Sequence, residues 1–144
     1  CKQYLDENEL IVYASQIETA EEKGRTMTIG ITMAGNIPLV GFHDFLTVYL
    51  SGHTQRIKLS SKDNVLLTHL IEILYTLDDK NKSLIIVAEM LKNCDAYIAT
   101  GSNSSALYFE KYFARFPHII RKNKTSVAVL NLSLIHISEP TRPY

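Results

Sequence analysis

The sequence predicts an α/β domain in which a parallel β-sheet is flanked by helices. Short apolar runs rich in β-type residues alternate with longer runs of helical periodicity, and several of the strand-like runs end in a turn that contains glycine, serine or asparagine. The chain has 144 residues, of which 46% are hydrophobic, so it is long enough for one domain with a buried core.

The individual elements are read from about residue 25 onward. Predicted strands are 26–33, 55–59, 84–87, 96–99 and 126–130, and predicted helices are 39–50, 65–77, 88–92 and 104–115. Pro38 is expected in the first turn of a helix, and Ser60 with Asp63 matches a capping-box pattern. Residues 1–24 are acidic with only mixed helical patterning, so we expect an approach segment outside the core.

Three unusual peptides fall at the carboxyl ends of predicted strands. They are residues 35–38, 58–61 and 100–103. Right-handed crossovers bring these strand ends to one edge of a parallel sheet, and ligands of open α/β sheets bind at that edge. We therefore expect a ligand site formed by these peptides.

The turn at Gly101 and Ser102 joins a predicted strand to a predicted helix. Free N–H groups and the helix dipole at such a junction favour an anion, and glycine lets a phosphate approach the backbone. The alternative is a plain turn in which Ser102 is the N-cap of the helix. The pattern supports both interpretations.

Lys58 and Asn36 also lie at strand ends. The Lys58 ammonium is able to bind sugar hydroxyls or a phosphate at the sheet edge, or it is simply solvated there. The Asn36 amide is able to stabilise an oxyanion, or it is an N-cap or turn residue. The residue pattern alone favours the simpler interpretation for both.

Composition excludes several functions. The 15 basic and 15 acidic side chains balance, which removes the electrostatic argument for nucleic acid, and no apolar run is long enough for a membrane span. The histidines lack metal-ligand spacing, so no metal site is expected.

Cys1 and Cys94 are the only cysteines, which indicates a reducing compartment, and Cys94 is interpreted as a buried structural thiol. A basic cluster is able to attract a phosphorylated ligand, but a run of charges is most often a solvated face, which is the favoured interpretation; its members are Lys111, Arg115, Arg121, Lys122 and Lys124.

Four phrases in order, residues 33–39, 58–61, 99–103 and 119–123, resemble the cofactor domain of the aldehyde dehydrogenase superfamily. More closely, they resemble the long-chain acyl-CoA reductases related to the fatty acid reductase of bacterial bioluminescence. The resemblance extends over residues 25–130 and implies a Rossmann-like sheet of the aldehyde-dehydrogenase type.

In that family a cysteine attacks an acyl thioester, and the acyl-enzyme accepts hydride from a nicotinamide cofactor, usually NADPH, to release a fatty aldehyde. The resemblance implies that Asn36 stabilises the oxyanion and that Lys58 contacts the adenosine ribose or its 2′-phosphate. It places Gly101 and Ser102 against the pyrophosphate. The other cofactor-binding residues that it implies are Gly35, Ser60 and Thr100.

The nucleophilic cysteine of the family lies in a separate, later domain, and Cys94 precedes the glycine–serine turn. We therefore expect residues 25–131 to be an incomplete NADPH-binding domain without its catalytic domain, inactive alone. Residues 132–144 resemble translated sequencing-adapter read-through and are expected to be an artefactual tail.

For the full-length enzyme the resemblance implies an acyl-CoA or acyl-thioester substrate, a cytoplasmic location and a homo-oligomer. A second hypothesis is a non-catalytic nucleotide-binding α/β module. A third is a structural interaction domain that binds no nucleotide.

Overall fold

The computed structural model describes residues 6–122 and has a five-stranded sheet at its centre. The strands are β1 (Thr28–Thr32), β2 (Thr54–Lys58), β3 (Ile85–Val87), β4 (Ala96–Thr100) and β5 (His118–Arg121). The helices are α1 (Glu7–Ser15), α2 (Phe42–Leu50), α3 (Val65–Leu77), α4 (Asn81–Leu84) and α5 (Asn103–Phe113). Every strand pair is parallel, so the predicted α/β fold with a helix-flanked parallel sheet is confirmed.

The strand order across the sheet is β3-β2-β1-β4-β5. The chain therefore first builds outward from β1 to β3 and then returns to the other side of β1. The direction of growth reverses between β1 and β4, which is the position at which open α/β sheets form a crevice beyond their strand ends.

One face of the sheet carries the main core. Ile31, Ile57 and Ile85 are fully buried in three adjacent strands and belong to one hydrophobic cluster with Phe45 of α2 and Ile71 of α3. The buried residues alternate along the strands, and those of the facing helices recur at helical spacing. These two periodicities predicted the elements. Helices α2 and α3 are thus held on this face.

The opposite face packs against α5. Tyr97 of β4 stacks on Phe113 with ring centroids 4.1 Å apart, and Phe116 meets the same ring edge-on at 5.3 Å. Gly30 is the β1 register partner of Tyr97, and a β-carbon on Gly30 would lie 2.8 Å from the tyrosine ring. A residue without a side chain is therefore required at the centre of β1 on this face.

Helix α1 near the N-terminus contributes nothing to the core. Asp6 caps α1 by accepting hydrogen bonds from the N–H groups of Asn8 (2.9 Å) and Glu9 (3.2 Å), and α1 has no buried residue. Tyr13 attaches it to α2, since its hydroxyl lies 2.6 Å from Oγ1 of Thr47. Ala20, after α1, is buried, and its N–H donates to the carbonyl of Ser51 at 2.7 Å. The expectation that residues 1–24 are an approach segment stays a prediction.

The predicted start of α2 is wrong. Pro38 lies in a turn before the helix, Leu39 has a left-handed φ of 56°, and α2 begins at Phe42 with Gly41 as N-cap. The reason is a tertiary contact: Oδ2 of Asp63 accepts the Leu39 N–H at 2.7 Å and fixes the turn. The predicted capping box is wrong for the same reason, since Asp63 serves this turn and the N-cap of α3 is Asn64.

One further predicted helix is wrong, two elements were missed, and two expectations fall on residues outside the described part of the chain. Residues 88–92 are not helical, because this stretch is part of the connection from β3 to β4. Helix α4 and strand β5 were not predicted. The predicted strand at 126–130 and the expected tail at 132–144 lie outside the described residues.

Candidate functional site

A cleft of about 660 Å³ opens at the carboxyl ends of β1 and β4, where the strand order reverses. One wall is the loop from β1 to α2, and the other is the turn from β4 into α5. The β2–α3 loop contributes Ser60 and Lys62. The site predicted from parallel-sheet geometry is therefore a physical cavity.

Nearly all the predicted site residues line this cleft. They are Gly35, Asn36, Ser60, Thr100, Gly101 and Ser102. The three loops that carry them are far apart in sequence and are brought together because parallel strands end at one edge. The structure thus joins the predicted peptides, whereas what they bind remains a proposal.

Lys58 is the exception. It ends β2, is exposed, and lines a neighbouring cleft of about 620 Å³ together with Ser61, Asn64 and Glu89. Ser60 lines both clefts and so lies on the boundary between them. Lys58 also borders a small apolar pocket of about 180 Å³ that includes Tyr112.

The N-terminus of α5 faces the main cleft. Ser102 is its N-cap, and the Ser102 side-chain oxygen accepts the Ser105 N–H at 3.2 Å. The interpretation of Ser102 as an N-cap is therefore confirmed. Both serines line the cleft, so the first N–H groups of α5 and its dipole lie beside the cavity.

Gly101 has a packing role. A β-carbon on it would lie 3.0 Å from Cβ of Ser105 and 3.1 Å from the Phe109 ring. The glycine therefore lets α5 approach the end of β4 closely. This close packing is a sufficient reason for a glycine at position 101, whether or not a phosphate binds there.

Asn36 lies exposed in a bend at the other wall. It does not cap α2, whose N-cap is Gly41, so that alternative is wrong. No hydrogen bond of its side-chain amide is present among the described residues. The amide is thus able to donate to a group in the cleft.

Two lysines at the cleft were not predicted as site residues. Lys122 is paired with Glu110 of α5, whereas Lys62 has no ion-pair partner in the part of the chain that the structure describes. None of the described lining residues is acidic. The cleft therefore has a positive character that suits an anion. The sequence signal for Lys62 was its place in the loop directly after β2.

An ion pair between a buried carboxylate and a half-exposed arginine lies behind the cleft. Asp44 of α2 has a side chain only 5% exposed, and its Oδ1 accepts from Nη2 of Arg121 at 2.8 Å and from Nε at 3.2 Å. Sequence reasoning assigned Arg121 to a solvated basic face and did not single out Asp44. Of that basic cluster, Lys111 and Arg115 are exposed as expected, and Lys124 lies outside the described residues.

Cys94 lies away from the cleft, just before the amino end of β4. It is buried, and burial raises the pKa of its thiol above the ordinary value. The prediction of a buried thiol is confirmed. Neither cysteine nor histidine is among the described residues that line the main cleft.

The comparisons with known proteins returned nothing: no family model, no curated protein and no solved structure matches the chain. Among the described helices, none has the length and apolar character needed to cross a membrane. Residues 6–122 contain no group of three or more side chains suited to hold a metal ion. Function is therefore argued from the geometry of the cleft.

Proposed function

We propose that the chain binds NADPH at the cleft between β1 and β4 and forms the cofactor-binding part of a long-chain acyl-CoA reductase. The observation that carries nucleotide binding is the position of the cleft at the reversal of strand order, together with the N-terminus of α5 beside it. The reductase activity rests on the resemblance of residues 33–39, 58–61, 99–103 and 119–123 to that family. This is the crevice in which doubly wound sheets bind dinucleotides.

The lining groups suit a diphosphate. Hydroxyl groups of Ser60 and Ser102 and the ammonium group of Lys62 are donors, and none of the described lining side chains is a carboxylate that would repel phosphate. In the proposal, the pyrophosphate lies against the turn at Gly101 and the first N–H groups of α5.

Lys58 is assigned to the adenosine ribose or its 2′-phosphate. It lies one residue beyond Ile57 at the end of β2, in the cleft adjoining the main one through Ser60. In the doubly wound fold, a ligand that crosses the switch point extends its adenosine toward the end of this second strand. The family resemblance favours NADPH over NADH, and Lys58, which is exposed and has no ion-pair partner within residues 6–122, is available to a 2′-phosphate.

When bound, NADPH supplies the hydride for reducing an acyl thioester to a fatty aldehyde. The contribution of this chain is to hold the cofactor, with Asn36 as the candidate donor to an oxyanion. Since no thiol lines the described cleft and Cys94 lies outside it, we expect the purified chain to reduce no acyl-CoA. The proposed full-length enzyme is cytoplasmic and homo-oligomeric.

A non-catalytic nucleotide-binding module is the second candidate. The lack of a thiol or imidazole among the described lining residues favours it. Sequencing the source DNA beyond codon 130 separates the two candidates, because a downstream cysteine in a second α/β domain supports the reductase. A genuine early stop codon supports the module.

Isothermal titration of the purified chain with NADPH tests the proposal. Saturable one-to-one binding is expected, with weaker binding of NADH. Heat changes no larger than dilution for both dinucleotides would instead support a structural interaction domain. Aldehyde formed from a long-chain acyl-CoA by this chain alone would contradict the assignment as a cofactor-binding part.

A further inference from the structure

We propose that Asp44 is a positioning residue for the nucleotide cleft, an inference that rests on the function proposed above. Asp44 lies in the first turn of α2, directly after the loop that forms one wall of the cleft. Its side chain is buried and contacts Thr100 of the opposite wall and Arg121 behind that wall. The carboxylate therefore links the two walls from behind.

The two oxygens of Asp44 serve two strands. Oδ1 accepts both hydrogen bonds from Arg121 at the end of β5, and Oδ2 accepts a long hydrogen bond of 3.5 Å from the Thr100 hydroxyl at the end of β4. Thr100 and Arg121 are register partners. One buried carboxylate thus fixes both strand ends relative to α2.

The same contacts reach the backbone of the proposed phosphate turn. The Gly101 N–H donates to the carbonyl of Arg121 at 3.1 Å, which extends the β4–β5 ladder to the cleft. Holding Arg121 against Asp44 therefore holds Gly101, and Lys122 follows as the next lining residue. Without Asp44 the ladder would lose its side-chain support at this point.

The pair is suited to this role rather than to direct ligand binding. The negative charge of Asp44 is offset by Arg121 and by the N-terminus of α2, so removal from water is compensated. The Arg121 side chain is 49% exposed, but its charge faces a carboxylate. Neither residue lines the described cleft, and both act through Thr100 and Gly101.

The test combines binding with local hydrogen exchange in the full chain. Asp44→Asn and Arg121→Gln are each expected to raise the Kd for NADPH at least about fivefold at a temperature at which the variants are folded. The double variant is expected to bind NADPH no more weakly than Asp44→Asn alone, because Arg121→Gln removes a contact that Asp44→Asn has already weakened. Arg121→Lys, which retains a donor, is expected to recover part of the affinity.

Amide exchange supplies a readout that does not need the nucleotide. Asp44→Asn is expected to speed exchange of the Gly101 N–H more than that of amides inside β1, whereas a merely global loss of stability would speed all of them together. Asp79→Asn, which breaks the exposed pair with Lys82, is the control and should change neither readout. If Asp44→Asn does not fold, Arg121→Gln carries both measurements.

Wild-type Kd and unchanged Gly101 exchange in a folded Asp44 or Arg121 variant would overturn the positioning role and leave the proposed function standing. Additive effects in the double variant would also overturn it. A wild-type chain that binds no NADPH overturns the proposed function, and with it this inference.

Discussion

Gly35 and Ser60, from the loops after β1 and β2, approach so closely that a β-carbon on Gly35 would lie 2.1 Å from Oγ of Ser60 and 2.7 Å from its Cβ. The absence of a side chain at residue 35 therefore sets the separation of two loops that line the cleft. The family resemblance implied a cofactor-binding role for Gly35, and the structure adds a contact within the protein that requires a glycine there.

Gly35→Ala is expected to destabilise the chain by about 1–3 kcal/mol, because the two loops must separate to admit the methyl group. Urea unfolding measures the loss, and NADPH titration should show weaker binding. Ser60→Gly removes the side chain that the methyl group would meet, so Gly35→Ala should cost less stability in the Ser60→Gly background than in the wild-type chain. An equal loss in both backgrounds would contradict the contact.

Lys58→Ala is expected to weaken NADPH binding by about 1–3 kcal/mol, because it removes a charge-assisted contact with the 2′-phosphate. Binding of NADH, which lacks that phosphate, should change much less. Lys80→Ala, at an exposed turn before α4, is the matched control. Equal losses for NADPH and NADH would remove the 2′-phosphate assignment, and an unchanged NADPH titration would return Lys58 to a solvated strand end.

Gln55 is fully buried in β2, and neither polar atom of its side chain has a hydrogen-bond partner among the described residues. Gln55→Met keeps the volume and removes the unsatisfied amide, so it is expected to raise the free energy of unfolding by about 1–2 kcal/mol. Gln16→Met at the exposed end of α1 is the control and should have little effect. A loss of stability in Gln55→Met would show that the amide is satisfied in solution.

His53 is partly buried, and its Nδ1 lies 3.4 Å from the Met27 N–H. Burial, and secondly the charge of Lys23, lowers the pKa of His53 below its ordinary value. The unfolded chain therefore binds this proton more readily, and stability should fall as the pH drops through about 6.5 and level off below the folded-state pKa.

Urea unfolding between about pH 8 and pH 5.5 measures this dependence, above the range in which carboxylates titrate. His53→Gln should show a smaller decline than the wild-type chain. The same decline in both proteins would assign the effect to other groups.

The sheet was predictable because its inner strands have strong local signals. Ile29 and Ile31 alternate with Gly30, and the helical spacing of α2 and α3 matches their buried residues. Strand β5 and helix α4 have only four residues each, too few for a period to be read. The basic residues around β5 also favoured the interpretation of this stretch as a solvated face, so no strand was predicted there.

The site was predictable where it follows from strand ends, and not where it depends on long-range contacts. Asp63 was read as a local cap, although it fixes the turn at Leu39. Asp44 and Arg121 form an ion pair across a sequence separation of 77, and no local sequence pattern predicts this pair. Lys58 ends β2 and Lys62 lies in the loop that follows it, and only the structure shows that they line different clefts.

The most direct test of nucleotide binding at this cleft is amide chemical-shift mapping of the labelled chain during titration with NADPH. We expect saturable shifts concentrated in the loop residues Gly35 and Asn36, in Ser60 and Lys62, and in the turn of Gly101 and Ser102, the positions that line the cavity. No shifts at saturating NADPH, or shifts confined to the opposite edge of the sheet around Thr54 and Cys94, would contradict the proposal.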